Sequence, residues 1–207
     1  MKLLIATKNK GKMREMKEFF QADGLEILSL DGFSNVPNIE ETGKTFEENA
    51  LLKAETCFEF FGIPSVADDG GLEIDFLSGE PGVLSRRWPS FAEATEGRPS
   101  RKKTDQELIN IALEKLRGIP KEKRTARLRT VVTFYDGKNT LSETASIEGY
   151  ITERQEKECE PGYPFRAIFW VPEFDKLFQD LTHDEHKIIN HRRRACLSLA
   201  KRIGDLK

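Results

Sequence analysis

The chain contains few cysteines and almost no net charge, and both absences exclude classes of protein. Its 207 residues include three cysteines, whose odd number and irregular spacing argue against a disulfide framework and against a cysteine metal site. Unpaired thiols suit a reducing compartment, so we expect a cytoplasmic protein. The formal net charge is −2, which is far from the basic field of a protein that coats RNA or DNA.

Long apolar runs are also lacking, as are internal repeats and low-complexity tracts. No stretch has the roughly 20 apolar residues that a membrane-spanning helix needs. The opening MKLLIATKNKGK has too short an apolar segment for a signal peptide. We therefore expect no membrane and no polynucleotide partner, and a single domain over residues 1–207 with room for two lobes.

The first thirty residues show the pattern of an α/β protein. Residues 2–6 and 25–30 are short apolar runs typical of strands. Residues 11–22, between them, repeat apolar side chains at helical spacing. The side chains on this helical face are Met13, Met16, Phe19 and Phe20.

Three more helices are predicted from periodicity and end signals. One begins at a capping box of Thr45 and Glu48 and stops at Gly62. The last begins at a capping box of Thr182 and Glu185. The predicted helices cover residues 46–61, 105–118 and 183–203.

The remaining pattern is β-rich. Asp-Gly pairs are strong hairpin-turn signals, so DDGG at 68–71 is predicted as a turn between strands 64–68 and 71–77. Residues 126–152 read as two strands joined by a hairpin at DGKN. Residues 166–172 form another predicted strand, and the polar stretch 89–104 is predicted as a loop.

The segment ATKNKGKMREM places three lysines where a strand gives way to a helix. A helix N-terminus offers unpaired N–H groups and a partial positive charge, which Lys8, Lys10 and Lys12 would reinforce, while Asn9 can donate through its amide. The segment is not a Walker A loop. On its own it indicates either a phosphate site or an ordinary solvated turn.

Three other groups of residues allow a functional and a plain interpretation. The carboxylates in EET and DDGG are hard oxygen ligands suited to Mg²⁺, or they belong to turns. Lys53 lies off the apolar helix face and would by itself be solvated. The segments NHRRRA and PGYPFRAIFW offer arginines and aromatic rings for binding a nucleotide, or form a basic helix face and a core-edge loop.

Taken in order along the chain, these segments resemble the inosine triphosphate pyrophosphatase family, which acts on noncanonical purine nucleotides. The resemblance covers nearly the whole chain. It implies a two-lobed single α/β domain with a long curved mixed β-sheet and a central substrate cleft, and a homodimer. It also implies hydrolysis of a nucleoside triphosphate to the monophosphate and pyrophosphate with Mg²⁺. The matching segments are ATKNKGKMRE, EETGKTFEENALLKA, ADDGGLEIDFLSGEPGVLSRRW, GYPFRAIFWVPEFDKLF and HRRRA.

The resemblance assigns roles to the phosphate and metal half of the site. Glu41 and Asp69 match metal-binding residues, and Asp69 also matches the general base that activates water. Asp68 is grouped with them as a supporting carboxylate. Lys10 falls where the family varies and is expected to be solvated. The residues that match phosphate-binding positions are Thr7, Lys8, Asn9, Lys12 and Lys53.

The base half departs from the family pattern. Where the family usually reads Phe-Gly-Tyr-Asp-Pro, this chain reads Tyr-Pro-Phe-Arg-Ala, so Arg166 replaces an acid and exchanges acceptors for donors. Gly70 replaces the usual Ser or Thr, His186 replaces the usual Lys, and Asn190 replaces the usual Ser. His191 and Arg192 are the same as in the family. The expected substrate-binding residues of this half are Gly70, Tyr163, Pro164, Phe165, Arg166, His186, His191 and Arg192.

The sequence therefore predicts a nucleoside triphosphate pyrophosphohydrolase for ITP, dITP and XTP that removes them from the nucleotide pool, with Mg²⁺ as cofactor. Its base preference is left open by the altered loop, so the same chemistry on other bases is one alternative. A nucleotide-binding protein without turnover is a second alternative, and an RNA- or DNA-binding module using RRR at 192–194 is a third.

Overall fold

The computed structural model describes residues 1–20, 24–90, 93, 95 and 101–206. The strands are β1 Lys2–Ile5, β2 Glu26–Ser29, β3 Ser65–Ile74, β4 Thr125–Tyr135, β5 Thr140–Ile151, β6 Phe169–Val171 and β7 Lys176–Leu177. Among the described residues the α-helices are α1 Lys10–Phe19, α2 Phe46–Phe61, α3 Asp105–Lys115, α4 His183–Ile189 and α5 His191–Gly204. None of these helices has the length and apolarity to cross a bilayer.

The seven strands form one mixed sheet in the order β2-β1-β3-β4-β5-β6-β7. β1 runs parallel to both β2 and β3, whereas β6 is antiparallel to β5 and β7. The predicted α/β fold with a mixed sheet is confirmed. The chain divides into two compact units, the first of residues 1–70, 129–146 and 190–207 and the second of residues 71–128 and 147–189.

Alternation along β1 and β3 organises the core of the first unit, because neighbouring side chains of a strand point to opposite faces of a sheet. Leu3, Ile5 and Val66 pack with the predicted apolar face of α1 and with α5. Leu4, Ala6 and Ala67 pack with α2 on the other face. Asp68 and Asp69 continue this alternation at the middle of β3.

The second unit is built around α3. The helix buries the predicted side chains Leu108, Ile111 and Ala112 against Trp88 and Phe169. Its N-terminus is closed by a capping box in which Thr104 Oγ1 accepts from Glu107 N–H at 3.2 Å. The start of this helix, at Asp105, therefore has a fixed position in the unit.

The predicted turn at DDGG is wrong, because residues 65–74 form one continuous strand. The two glycines allow other backbone segments to approach instead. A Cβ on Gly70 would lie 2.3 Å from the carbonyl oxygen of Arg129 on β4. A Cβ on Gly71 would lie 2.1 Å from Ser85 Oγ and 2.9 Å from the carbonyl oxygen of Gly82. The Asp-Gly signal therefore marks close packing rather than a hairpin.

The long C-terminal helix is also wrong in part, since Asn190 separates α4 from α5. The predicted capping box at Thr182 is present, with Thr182 N–H donating to Glu185 Oε2 at 2.7 Å. The first helix ends at Phe19 rather than residue 22, and residues 21 and 22 lie outside the described residues. The centre of the loop predicted over 89–104 also lies outside them.

Candidate active site

The start of α1 is capped by its own sequence. Asn9 Oδ1 accepts hydrogen bonds from the N–H groups of Gly11, at 2.9 Å, and Lys12, at 3.2 Å. Thr7 Oγ1 accepts from Asn9 N–H at 3.2 Å. The expectation of unpaired amides at this helix end is therefore wrong for two of them. What remains available for an anion is the positive end of the helix and the lysine side chains.

The lysines of this turn have different surroundings. Lys8 Nζ donates to the carbonyl oxygen of Pro37 at 3.1 Å, and both Lys8 and Lys10 are exposed. Lys12 instead forms an ion pair with Asp68 Oδ2 at 3.0 Å and is largely buried. Lys10 is therefore exposed, as expected, and Lys8, which the resemblance groups with Lys12, is exposed as well.

Asp68 is held by two cations on the face of the sheet covered by α1 and α5. Arg192 Nε donates to Asp68 Oδ2 at 3.1 Å, and Arg192 Nη1 donates to Glu15 Oε2 at 2.6 Å. Burial favours the neutral acid, but Lys12, Arg192 and Lys53 outweigh it and hold the pKa of Asp68 well below its usual value. This ionised, fully buried carboxylate fixes the positions of Lys12 and Arg192.

Asp69 faces the opposite side of the sheet, toward α2. Lys53 Nζ donates to Asp69 Oδ1 at 3.0 Å and to Glu41 Oε1 at 2.9 Å. Burial raises the pKa of Asp69 although Lys53 and Lys12 oppose it, and the two carboxylates raise the pKa of Lys53 despite the burial of its ammonium. The interpretation of Lys53 as a solvated residue is wrong, since Lys53 is buried between two acids.

The acidic residues around Lys53 bear on the Mg²⁺ that the resemblance implies. Within the described part of the chain, no three or more His, Cys, Asp or Glu side chains are grouped as a metal site. Mg²⁺ bound to substrate phosphates needs only one or two carboxylates, however, and prefers hard oxygen ligands. Glu41 and Asp69 meet that need because an oxygen of each lies within 3.0 Å of the same atom, Lys53 Nζ. They fit the ion, whereas the contacts of Asp68 suit a supporting carboxylate.

The residues predicted for base recognition are divided between the two units. Gly70, His191 and Arg192 belong to the first unit, and Tyr163–Arg166 and His186 belong to the second. Residues Pro164–Ala167 form a short 3-10 helix whose side chains are buried, and Tyr163 is 8 % exposed. The Arg166 guanidinium carbon lies 3.6 Å from the centre of the Tyr163 ring, and Nη1 donates to Glu160 Oε2 at 3.1 Å. Phe178 packs against Arg166 and, at 5.0 Å between ring centres, against His186.

The retained His-Arg pair opens α5. His191 and Arg192 are both buried in its first turn. Asn190 caps the helix by accepting a hydrogen bond from Arg193 N–H at 3.1 Å. The predicted site residues of the first unit that come together are Lys12, Glu41, Lys53, Asp68, Asp69 and Arg192.

A match to a protein-family model identifies the family of this chain. Residues 3–202 match the model of the Ham1 family. This chain belongs to the Ham1 family. Curated relatives agree: the dITP/XTP pyrophosphatase of Bacillus cereus is 40 % identical over 98 % of this chain and 95 % of its own length. That of Bacillus subtilis is 40 % identical over 96 % of this chain and 94 % of its own.

Solved Ham1 proteins share the fold. The Staphylococcus aureus Ham1 protein has a TM-score of 0.81 and 29 % identity, and covers all of both chains. A HAM1 protein from Coxiella burnetii has a TM-score of 0.81 and 30 % identity, and covers 99 % of both chains. The resemblance that the sequence segments carry is therefore confirmed over the whole length of this Ham1-family chain.

Four residues of this Ham1-family chain were not anticipated from its sequence. Glu15 pairs with Arg192, Glu160 pairs with Arg166, and Arg86 pairs with Asp105. All are ordinary charged residues to which the resemblance assigns no role, and their partners are 6 to 177 positions away. The charge reversal at Arg166 was the one signal that a compensating acid should exist nearby.

Proposed function

We propose that this Ham1-family chain hydrolyses noncanonical purine nucleoside triphosphates, namely ITP, dITP and XTP, to the monophosphate and pyrophosphate. The observation that carries the proposal is the set of ion-paired side chains Lys12, Lys53, Glu41 and Asp69 in the first unit, of which Lys53 and Asp69 are buried. It combines two ammonium groups suited to a triphosphate with two carboxylates suited to a metal and a base. The names of the curated relatives support the substrate class.

The residues of this set divide the work of the reaction. Asp69 accepts the proton of the attacking water, and the ion pair with Lys53 holds this buried carboxylate in place. Lys12 and Lys53 neutralise the pyrophosphate that leaves. Mg²⁺, held by Glu41 and Asp69, would supply further charge neutralisation at the phosphate oxygens. Asp68 keeps Lys12 and Arg192 in place through its ion pairs.

Further contacts and properties complete the proposal. Thr7, Lys8 and Asn9 are proposed to contact the phosphates, and Gly70, His191 and Arg192 the rest of the nucleotide. We also propose that the protein is a cytoplasmic homodimer with one domain over residues 1–207. Its three cysteines are free thiols, which supports a reducing environment.

Pyrophosphate release from a panel of ITP, dITP, XTP, GTP and ATP with Mg²⁺ tests the proposal. We expect turnover of the first three, and a loss of at least about 100-fold in kcat for Asp69→Asn with nucleotide binding retained. The exchange keeps the size of the side chain but removes the proton acceptor. Wild-type binding without turnover, unchanged in Asp69→Asn, would instead support a nucleotide-binding protein. Preferential turnover of GTP or ATP would support another base set.

A further inference from the structure

The loop that replaces the family's base-recognition segment is closed by contacts within itself. Tyr163 N–H donates to the Glu160 carbonyl oxygen at 2.9 Å, and Arg166 N–H donates to the Tyr163 carbonyl oxygen at 3.2 Å. The Arg166 side chain, 6 % exposed, lies with its guanidinium carbon 3.6 Å from the Tyr163 ring centre and 5.0 Å from that of Phe178. Its Nη1 binds Glu160 Oε2 at 3.1 Å.

These contacts change what the charge reversal at residue 166 means. A guanidinium close to two aromatic rings and paired with a carboxylate is held by cation–π contacts and an ion pair together. Glu160 neutralises the charge that the exchange of acid for arginine introduced. The guanidinium therefore has aromatic and carboxylate partners within its own unit.

A second ion pair binds the backbone of the same loop at Gly162. Gly162 N–H donates to Asp105 Oδ2 at 2.7 Å, and Arg86 Nη2 donates to the Gly162 carbonyl oxygen at 3.0 Å. Arg86 Nη1 and Asp105 Oδ1 also bind each other. Gly162 has a φ of 88°, a conformation that glycine adopts without strain. One ion pair thus binds both the N–H group and the carbonyl oxygen of Gly162, the residue before Tyr163. Asp105 of this pair is the first residue of α3.

We propose that the Glu160–Arg166 and Arg86–Asp105 pairs are positioning pairs for the base-recognition loop, and that Arg166 does not read the base. The inference rests on the proposed function, because it deepens the assignment of this loop to base recognition. Base discrimination is then unaffected by the reversed charge at residue 166, and both pairs act on every nucleotide alike through the conformation of residues 162–166.

The test compares kcat and KM for ITP, XTP and GTP in the wild type, Arg166→Met and Asp105→Ala. Arg127→Met is the matched control, because Arg127 is an arginine of the same unit that pairs with Asp75 and Glu148 away from the loop. We expect KM to rise about 10-fold for all three nucleotides in both loop variants, since misplaced binding groups weaken binding. The ratios of kcat/KM between nucleotides and the value of kcat should stay within about threefold of the wild type.

The other outcomes overturn the inference. A change of about tenfold or more in the ITP-to-GTP ratio of kcat/KM in Arg166→Met would make Arg166 a base-reading residue. We expect Arg127→Met to lower the melting temperature without changing KM. The same result in Arg166→Met and Asp105→Ala would show that the two pairs only stabilise the fold. If Arg166→Met does not fold, Asp105→Ala alone must show the uniform rise. A wild type that releases no pyrophosphate from any nucleotide would overturn the proposed function, and the inference with it.

Discussion

Two adjacent glutamates differ in their contacts, and this difference allows the proposed metal role to be tested at one residue. Glu41 Oε1 lies 2.9 Å from Lys53 Nζ, whereas Glu40 is exposed. We expect Glu41→Gln to raise the Mg²⁺ concentration for half-maximal pyrophosphate release by at least about 10-fold, because the amide keeps the size of the ligand and loses its charge.

Glu40→Gln is the matched control, since it removes the same charge one position away. It should leave the Mg²⁺ concentration for half-maximal activity within about twofold of the wild type, because solvent and salt screen an exposed charge. Equal shifts in the two variants would indicate a general effect of net charge and would remove Glu41 from the proposed metal site.

Local sequence pattern predicted the surroundings of single residues poorly. Spacing places Lys53 beside Asn49 on α2, off the apolar face, and predicts solvation, yet both side chains are buried. Helical periodicity shows on which side of a helix a residue lies, but it does not show the acids that another segment brings to that side. Asp69 and Glu41 are 16 and 12 positions away from Lys53, so their contact depends on the tertiary fold.

For helices and strands as well, features set by neighbouring residues were predicted and features set by distant residues were not. Capping boxes and stop signals predicted α2 to the residue, because these signals are contained within a few neighbouring positions. DDGG was misread as a turn because the feature that decides its conformation, the Arg129 carbonyl on β4, is about sixty positions away. The order of the seven strands was not predicted for the same reason, since it depends on pairings between distant segments.

Asn190 shows that a departure from the family pattern can preserve an element. The family usually carries Ser at this position, and both Ser and Asn are good N-cap residues. We expect Asn190→Ala to lower the free energy of unfolding by about 1 kcal/mol, because the bond from Arg193 N–H is lost. Asn190→Ser should stay within about 0.5 kcal/mol of the wild type in urea unfolding. A similar loss in both variants would show that the asparagine has a role beyond capping.

At the scale of the whole molecule, three strands are shared by the two compact units, and this sharing supports a test of the predicted single domain. β3, β4 and β5 each contribute residues to both compact units. Unfolding one unit would therefore fray strands that also belong to the core of the other. We expect one cooperative transition in urea, with a common midpoint for far-UV circular dichroism, which follows all helices, and for tryptophan fluorescence.

The two tryptophans make this expectation testable, because Trp88 and Trp170 both belong to the second unit while Asn190 belongs to the first. Asn190→Ala should therefore shift the fluorescence midpoint as far as the circular dichroism midpoint, although the substitution lies in the other unit. If the fluorescence midpoint stayed at its wild-type value while the circular dichroism transition moved or split, the units would unfold independently. The chain would then consist of two domains that share a sheet.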